Sequence, residues 1–256
     1  MYSEEDLRAD EETLILGLAE ALEVGQVSIP DDPDERFRIL RTLMNVRPPE
    51  PVDDDLLETQ DRILTYLRDR KGVTDVSALE FRDGIALWRG DITTLRCDAI
   101  VNAANSGMLG CFAPCHRCID NAIHTFAGMQ IRLECQDIMN GMQEPVGHVR
   151  VTEGYNLPCK HVMHTVGPMI HGSVTDADRD ALKSCYTSCL EMASSMGLET
   201  IAFCCISTGE FRFPNREAAE IAVDTVRDHL GSHDGLKVIF DVFTDRDEGI
   251  YHDLLG

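Results

Sequence analysis

From Ile85 onward, short and strongly apolar runs alternate with longer amphipathic stretches, and this alternation limits the fold more than any other feature of the chain. The apolar runs are Ile85–Trp88, Ala99–Val101, Val149–Val151, Val162–Thr165, Ile201–Cys205 and Val238–Val242. Each is too short for a helix and bounded by turn-forming residues, so each reads as a strand. The stretches between them carry a helical period. In 119–139 the apolar positions are Ile119, Ile123, Phe126–Ala127, Ile131 and Ile138, which predicts one long helix; 176–196, 215–230 and 245–255 are also expected to be helical. Strands alternating with helices predict an α/β fold with a largely buried mixed sheet.

Residues 1–80 have a different character. They hold 21 acids against 9 bases and no alternation of the strand type. Ser3 and Asp6 stand at capping-box spacing ahead of Leu14, Leu16, Leu18 and Leu22, which are expected along one helix. Pro33 sits near the start of a second helix with Phe37, Leu40 and Leu43–Met44, and Pro48–Pro49 end it. Leu56, Leu57, Ile63, Leu64 and Leu67 mark a third, closed by Gly72. The division expected is a helical N-terminal extension over 1–80 and an α/β domain over 81–256. Aligned ligand-type residues are missing from the extension, so packing or covering a cleft is its expected role.

The whole chain carries 45 acids against 23 bases, a formal net charge of −22. Such a field repels nucleic acid and anionic membrane surfaces, and neither is expected as a partner. A phosphate-bearing ligand must instead be held by local backbone dipoles. No apolar stretch approaches the roughly 20 residues of a membrane span. The acidic start "MYSEEDLRADEETL" lacks the basic and apolar regions of a signal peptide. A cytoplasmic location is expected, where the ten cysteines stay reduced and serve as core residues or metal ligands.

All ten cysteines lie at or after Cys97, and three of them fall with His116 within the eight residues 111–118 of "GCFAPCHRCIDNAIH", residues 110–124. Thiolates with one imidazole favour zinc over magnesium or calcium. Structural zinc usually takes four protein ligands from two separated pairs, yet this chain has no second CxxC pair. Four adjacent ligands from so short a loop are hard to arrange tetrahedrally. Three are easier: Cys111, His116 and Cys118 can wrap one metal and leave a position open, the mark of a catalytic site. The competing readings are haem attachment, a zinc deaminase, and reduced core cysteines beside a surface histidine. Haem attachment needs CxxCH, and a zinc deaminase pairs P-C-x-x-C with H-x-E, which is not found.

Two glycine-bearing loops follow apolar runs, "NSGMLG" (105–110) and "STGEF" (207–211). Their glycines allow backbone N–H groups to approach an anion, and a helix N-terminus adds partial positive charge. Together at the ends of neighbouring strands they would make a crevice for a diphosphate, although each alone is also an ordinary turn. Asp91 in "RGDIT" can accept from an exocyclic amine or cap a turn. Asn102 and Asn105 flank a strand end, and their amides suit sugar hydroxyls or capping of the same loop. Cys185, Cys189, Cys204 and Cys205 are expected in the core, and His161 and His164 in the core or behind the site.

Three segments, "GDITTLRCDAIVNAANSGMLGC", "GYNLPCKHVMHTVGP" and "CISTGEFRFPNREAAEIAV", resemble the macrodomains, which bind ADP-ribose. The insertion "GCFAPCHRCIDNAIH" is similar to that of the zinc-dependent macrodomain branch, whose members remove ADP-ribose from modified proteins. That branch carries a helical extension ending much like "RFRILRTLMNVRPP", so the resemblance spans nearly the whole chain. It implies a three-layer α/β/α sandwich with a mixed central sheet, and one zinc ion held by Cys111, His116 and Cys118, with Cys115 a bystander. It further implies that Asp91 and the Ile92 N–H read adenine and that Asn102 and Asn105 hold the distal ribose. Ser207, Thr208, Gly209, Glu210 and Phe211 would cradle the phosphates, and Phe243 would pack on adenine. The expected activity is release of mono-ADP-ribose from a modified protein, with Asn105 and the three metal ligands as its catalytic group. The alternatives are an ADP-ribose reader with structural zinc and a hydrolase of a free ADP-ribose derivative. No pair of carboxylates suited to glycoside hydrolysis stands out, and Glu210 is the one auxiliary base considered.

Overall fold

A computed structural model describes residues 2–256. The N-terminal helices are α1 (Glu4–Ala21), α2 (Pro33–Val46) and α3 (Asp54–Lys71), followed by the short strand β1 (Thr74–Asp75). Then come β2 (Ile85–Arg89), β3 (Leu95–Arg96), β4 (Ala99–Ala103), α4 (Ile119–Ala127), α5 (Met129–Met139), β5 (Val149–Glu153) and β6 (His161–Thr165). The chain closes with α6 (Asp176–Ser195), β7 (Thr200–Phe203), α7 (Asn215–Leu230), β8 (Lys237–Val242) and α8 (Asp245–Leu255).

Six strands form one sheet in the order β2-β8-β7-β4-β6-β5. All pairings are parallel except β5 with β6, so the sheet is mixed, as expected. Helices α6, α7 and α8 pack on one another in one layer; α4 and α5 belong to the other, completing the three-layer sandwich. Ala99, Ile100 and Val101 of β4 are fully buried, which explains the continuous apolar run there: both faces of a parallel strand are covered. No helix among the described residues is long and apolar enough to cross a membrane.

The expected helix over 119–139 is in fact two. Gly128 separates α4 from α5 with φ +102°, a value that breaks the helical path, and apolar periodicity continues across the break without revealing it. In α1 the buried face is Leu7, Leu14, Ile15 and Leu18, whereas Leu16 is 53% exposed. Residues two apart point to opposite sides of a helix of 3.6 residues per turn, so Leu16 faces away from Leu14 and Leu18 on the helix where all three were expected. The capping box of Ser3 with Asp6 is present, Pro33 occupies the first helical turn, and Gly72 ends α3 at φ +88°.

The extension has its own apolar cluster, joined by Met129 of α5. It is also stitched to the α/β domain by buried polar groups. Arg132 Nη1 of α5 donates to the carbonyls of Met44, Asn45 and Arg47, which are the orphan acceptors at the end of α2. Gln60 Oε1 of α3 accepts from the Met129 N–H that opens α5. Residues 74–75 pair in parallel with 95–96, so the last part of the 1–80 segment is already wound into the second module.

Candidate functional site

The carboxyl ends of β2, β8, β7 and β4 lie side by side along the sheet, and the segments leaving them form one cleft of about 1290 Å³. That exceeds the few hundred to about 1,000 Å³ of ordinary small-molecule pockets and suits an elongated ligand. The crest of a parallel sheet is where open α/β folds bind ligands.

At one end, Gly90, Asp91 and Ile92 follow β2, while Asp241 and Phe243 stand at the end of β8. Asp91 Oδ1 accepts from the Thr93 N–H at 3.0 Å, and its Oδ2 accepts from Lys71 Nζ at 3.1 Å. Burial pushes the Asp91 carboxyl up, but the Thr93 and Lys71 contacts outweigh it and hold the group below its usual range. Asp241 is buried with Oδ1 unpartnered, and burial, then the nearby Asp91 charge, raises its pKa. Phe243 is 76% exposed on the rim, an apolar ring free to cover a flat ligand.

The middle of the cleft is the 207–211 loop. Ser207 adopts φ +64°, and the loop closes through Phe213 N–H to Ser207 O and Arg212 N–H to Gly209 O. Among the described residues, the amides of Gly209, Glu210 and Phe211 make no hydrogen bond within the chain, which leaves three adjacent donors for an anion.

At the other end, the loop after β4 brings Asn105, Cys111, His116 and Cys118 onto the cleft wall. The ligand atoms of Cys111, His116 and Cys118 all lie within 4.8 Å of one another. Three donors on a tetrahedron with bonds of about 2.0–2.3 Å sit roughly 3.5–3.8 Å apart, so only a slight contraction is needed. His116 Nδ1 faces Cys111 Sγ at 3.6 Å, and its Nε2 faces Glu210 at 3.5 Å, the arrangement in which a carboxylate orients a ligating imidazole. Cys118 caps α4, accepting from the Asn121 N–H at 3.4 Å. Burial pushes its thiol up to about 12, which the Asn121 contact partly offsets; a cation would pull the other way. A soft S, N, S donor set with an orienting carboxylate fits zinc. Cys115 stays outside the cluster, its Sγ 3.4 Å from Thr42 Oγ1.

Two residues stand differently from expectation. Asn102 is 0% exposed and does not reach the cleft surface. Its Nδ2 lies 2.8 Å from Asp120 Oδ1 and 3.1 Å from His164 Nδ1, so it supports the site from beneath where a ribose contact was expected. Asp120 was not among the residues named from the sequence. It lines the cleft, accepts from Asn105 Nδ2 at 3.2 Å, and burial raises it to about 6. Its signal was an acid in the first turn of the helix that follows the cysteine-rich loop. Below them His124, Cys135 and His164 also approach within 4.8 Å, but His164 Nε2 is paired with Thr152 Oγ1 at 2.9 Å, making this a packed polar core.

Comparisons with known proteins bear on the fold and the family. The Macro domain family model matches residues 101–222. A protein-ADP-ribose hydrolase of Treponema medium is 52% identical over 238 residues, covering 90% of this chain and 91% of the relative. One from Staphylococcus aureus is 50% identical over 229 residues, covering 87% and 86%. Among solved structures, a Trypanosoma brucei macrodomain in complex with ADP superposes with TM-score 0.65 at 30% identity, over 86% of this chain and 96% of the other. An Oceanobacillus iheyensis macrodomain with ADP gives 0.62 at 36% identity, over 67% and 89%.

Proposed function

This chain belongs to the macrodomain family, and we propose that it is a protein-ADP-ribose hydrolase that releases mono-ADP-ribose from modified proteins with one zinc ion at Cys111, His116 and Cys118. The observation that carries the zinc reading is the convergence of those three donors on the cleft wall beside Asn105 and Asp120.

The chain's own residues divide the work along the cleft. Asp91 accepts from the adenine amine and the Ile92 N–H donates to the ring, with Phe243 over its face. The Gly209, Glu210 and Phe211 amides hold the diphosphate, which explains anion binding by a chain of net charge −22. The distal ribose then falls at Asn105, whose amide is held by Asp120 Oδ2 and the Gly110 carbonyl. Cleavage at C1″ passes through an oxocarbenium-like state, and the buried carboxylate of Asp120 is placed to favour positive charge there and to orient a water. Zinc, when bound, supplies a Lewis acid for a ribose or leaving-group oxygen. Glu210 holds the His116 ring from the phosphate side.

The test is release of ADP-ribose from a mono-ADP-ribosylated protein, with and without chelator, for the wild type and His116→Ala. Loss of release by about a hundredfold or more, with ADP binding retained, is the expected result. Full release by His116→Ala with ADP still bound sinks the catalytic role of the cluster and leaves an enzyme indifferent to metal, whereas a wild type that binds ADP without releasing ADP-ribose from the modified protein is a reader.

A further inference from the structure

The metal-ligand loop does not hold its own shape. Between Cys111 and His116 the backbone turns sharply, with Cys115 at φ +52°, and the polar groups of this turn find partners on two helices. Asn45 of α2 presents Oδ1 to the Cys115 N–H at 2.9 Å and to Asn121 Nδ2 at 3.0 Å. Asn121 of α4, 0% exposed, also donates to the carbonyls of Cys111 and Ala113, at 3.2 and 3.0 Å. Arg41 of α2 closes the set. Its Nη2 donates to the His116 carbonyl at 3.1 Å and, with Nε, to Asn121 Oδ1 at 2.6 and 3.1 Å. The backbone carbonyls of two ligand residues are thus held by side chains that α2 supplies or orients. Nor can α2 drift, because Arg132 pins its last carbonyls.

We infer that α2 of the N-terminal extension is a working part of the metal centre: Asn45 and Arg41, acting through Asn121, are positioning residues that preset the Cys111–His116–Cys118 loop for zinc. The inference rests on the zinc reading above. It gives the extension a task that packing alone would not require, since the buried Asn45 Oδ1 and Asn121 Nδ2 reach backbone groups of a loop outside their own helices. Buried amides retained in this way specify one arrangement of the backbone they bind. Supporting contacts of metal ligands are typically worth about 10–100-fold in affinity.

The experiment is zinc affinity of the full chain, by competition with a chromogenic chelator, together with the visible spectrum of the cobalt-substituted protein. ADP affinity and the melting curve serve as controls. Asn45→Ala is expected to weaken zinc by about tenfold or more and to alter the cobalt–thiolate bands, while ADP binds within about twofold. Asn45→Asp keeps the Oδ1 acceptor for Cys115 and Asn121, and Thr125 Oγ1 can turn to donate, so near-normal affinity is expected. A uniform loss of stability would not be rescued by that charge, nor would it change the cobalt bands. Should Asn45→Ala not fold, Arg41→Lys, at a half-buried position, keeps the charge but loses the fork and is expected to weaken zinc severalfold. Wild-type zinc affinity and spectra in Asn45→Ala, or in Arg41→Lys if it takes that variant's place, overturn the clamp alone. A wild-type chain that binds no zinc overturns the zinc reading and the clamp with it.

Discussion

His164 shows how much one residue's surroundings decide. It is fully buried, both ring nitrogens are paired, with Asn102 and Thr152, and burial holds its pKa down to about 3 from 6.5. His124 beside it is lowered as well, by burial first and then by His164 and Arg132. A histidine kept neutral in the fold takes up a proton only on unfolding. Its contribution is therefore whole above pH 6.5 and is lost as the pH falls from there toward about 3. Stability should drop by about 1.4 kcal/mol per pH unit for each such group below pH 6.5, measurable as urea midpoints between pH 7 and 5. His164→Asn should flatten that slope, and an unchanged slope would refute the assignment. Nothing near "HVMHTVGP" announces the effect, because it comes from burial by elements distant in the chain.

At the scale of an element, the loop between β4 and α4 is the most demanding segment. Gly110 has φ +79°, and a Cβ there would lie 2.6 Å from the His124 ring. His124 is buried and cannot swing away. Gly110→Ala should cost about 1–3 kcal/mol in chemical denaturation and should weaken ADP-ribose binding, since the loop over α4 must lift. A stability within about 0.5 kcal/mol of wild type would show that the loop is freer than its packing implies. The glycines of "NSGMLG" were visible as turn formers, but the partner that makes Gly110 necessary sits fourteen residues on and a helix away. The same limit explains α4 and α5. Apolar spacing carries through Gly128, and only the Gln60 side chain at the start of α5 shows why the chain pauses there.

For the molecule as a whole, the decisive contacts are those that bind the extension to the α/β domain. Arg132 is buried with Nη1 shared among three carbonyls at the end of α2. Replacing it with leucine leaves those acceptors unpaired, and a loss of about 2–4 kcal/mol in global stability is expected. If α2 organises the metal loop, Arg132→Leu should also loosen zinc binding, although the residue lies outside the cluster. A two-step melt, with residues 1–71 leaving first, would locate the loss at this junction; an unchanged single transition would argue against it.

Much was written along the chain. Alternating apolar runs implied the α/β sheet, because strand and helix periods are local properties of neighbouring residues. Cys111, His116 and Cys118 were legible for the same reason, being near in sequence and chemically rare together. Asp91, Asn105 and the 207–211 loop could be named because turn chemistry is also local. Tertiary structure alone decided that Asn102 lies under the cleft, that Asp120 lines it, and that Asn45 and Arg41 hold the ligand loop. Those facts depend on burial and on partners 70 to 80 residues apart in the chain. No periodicity encodes such partners; packing the two modules together brings them into reach.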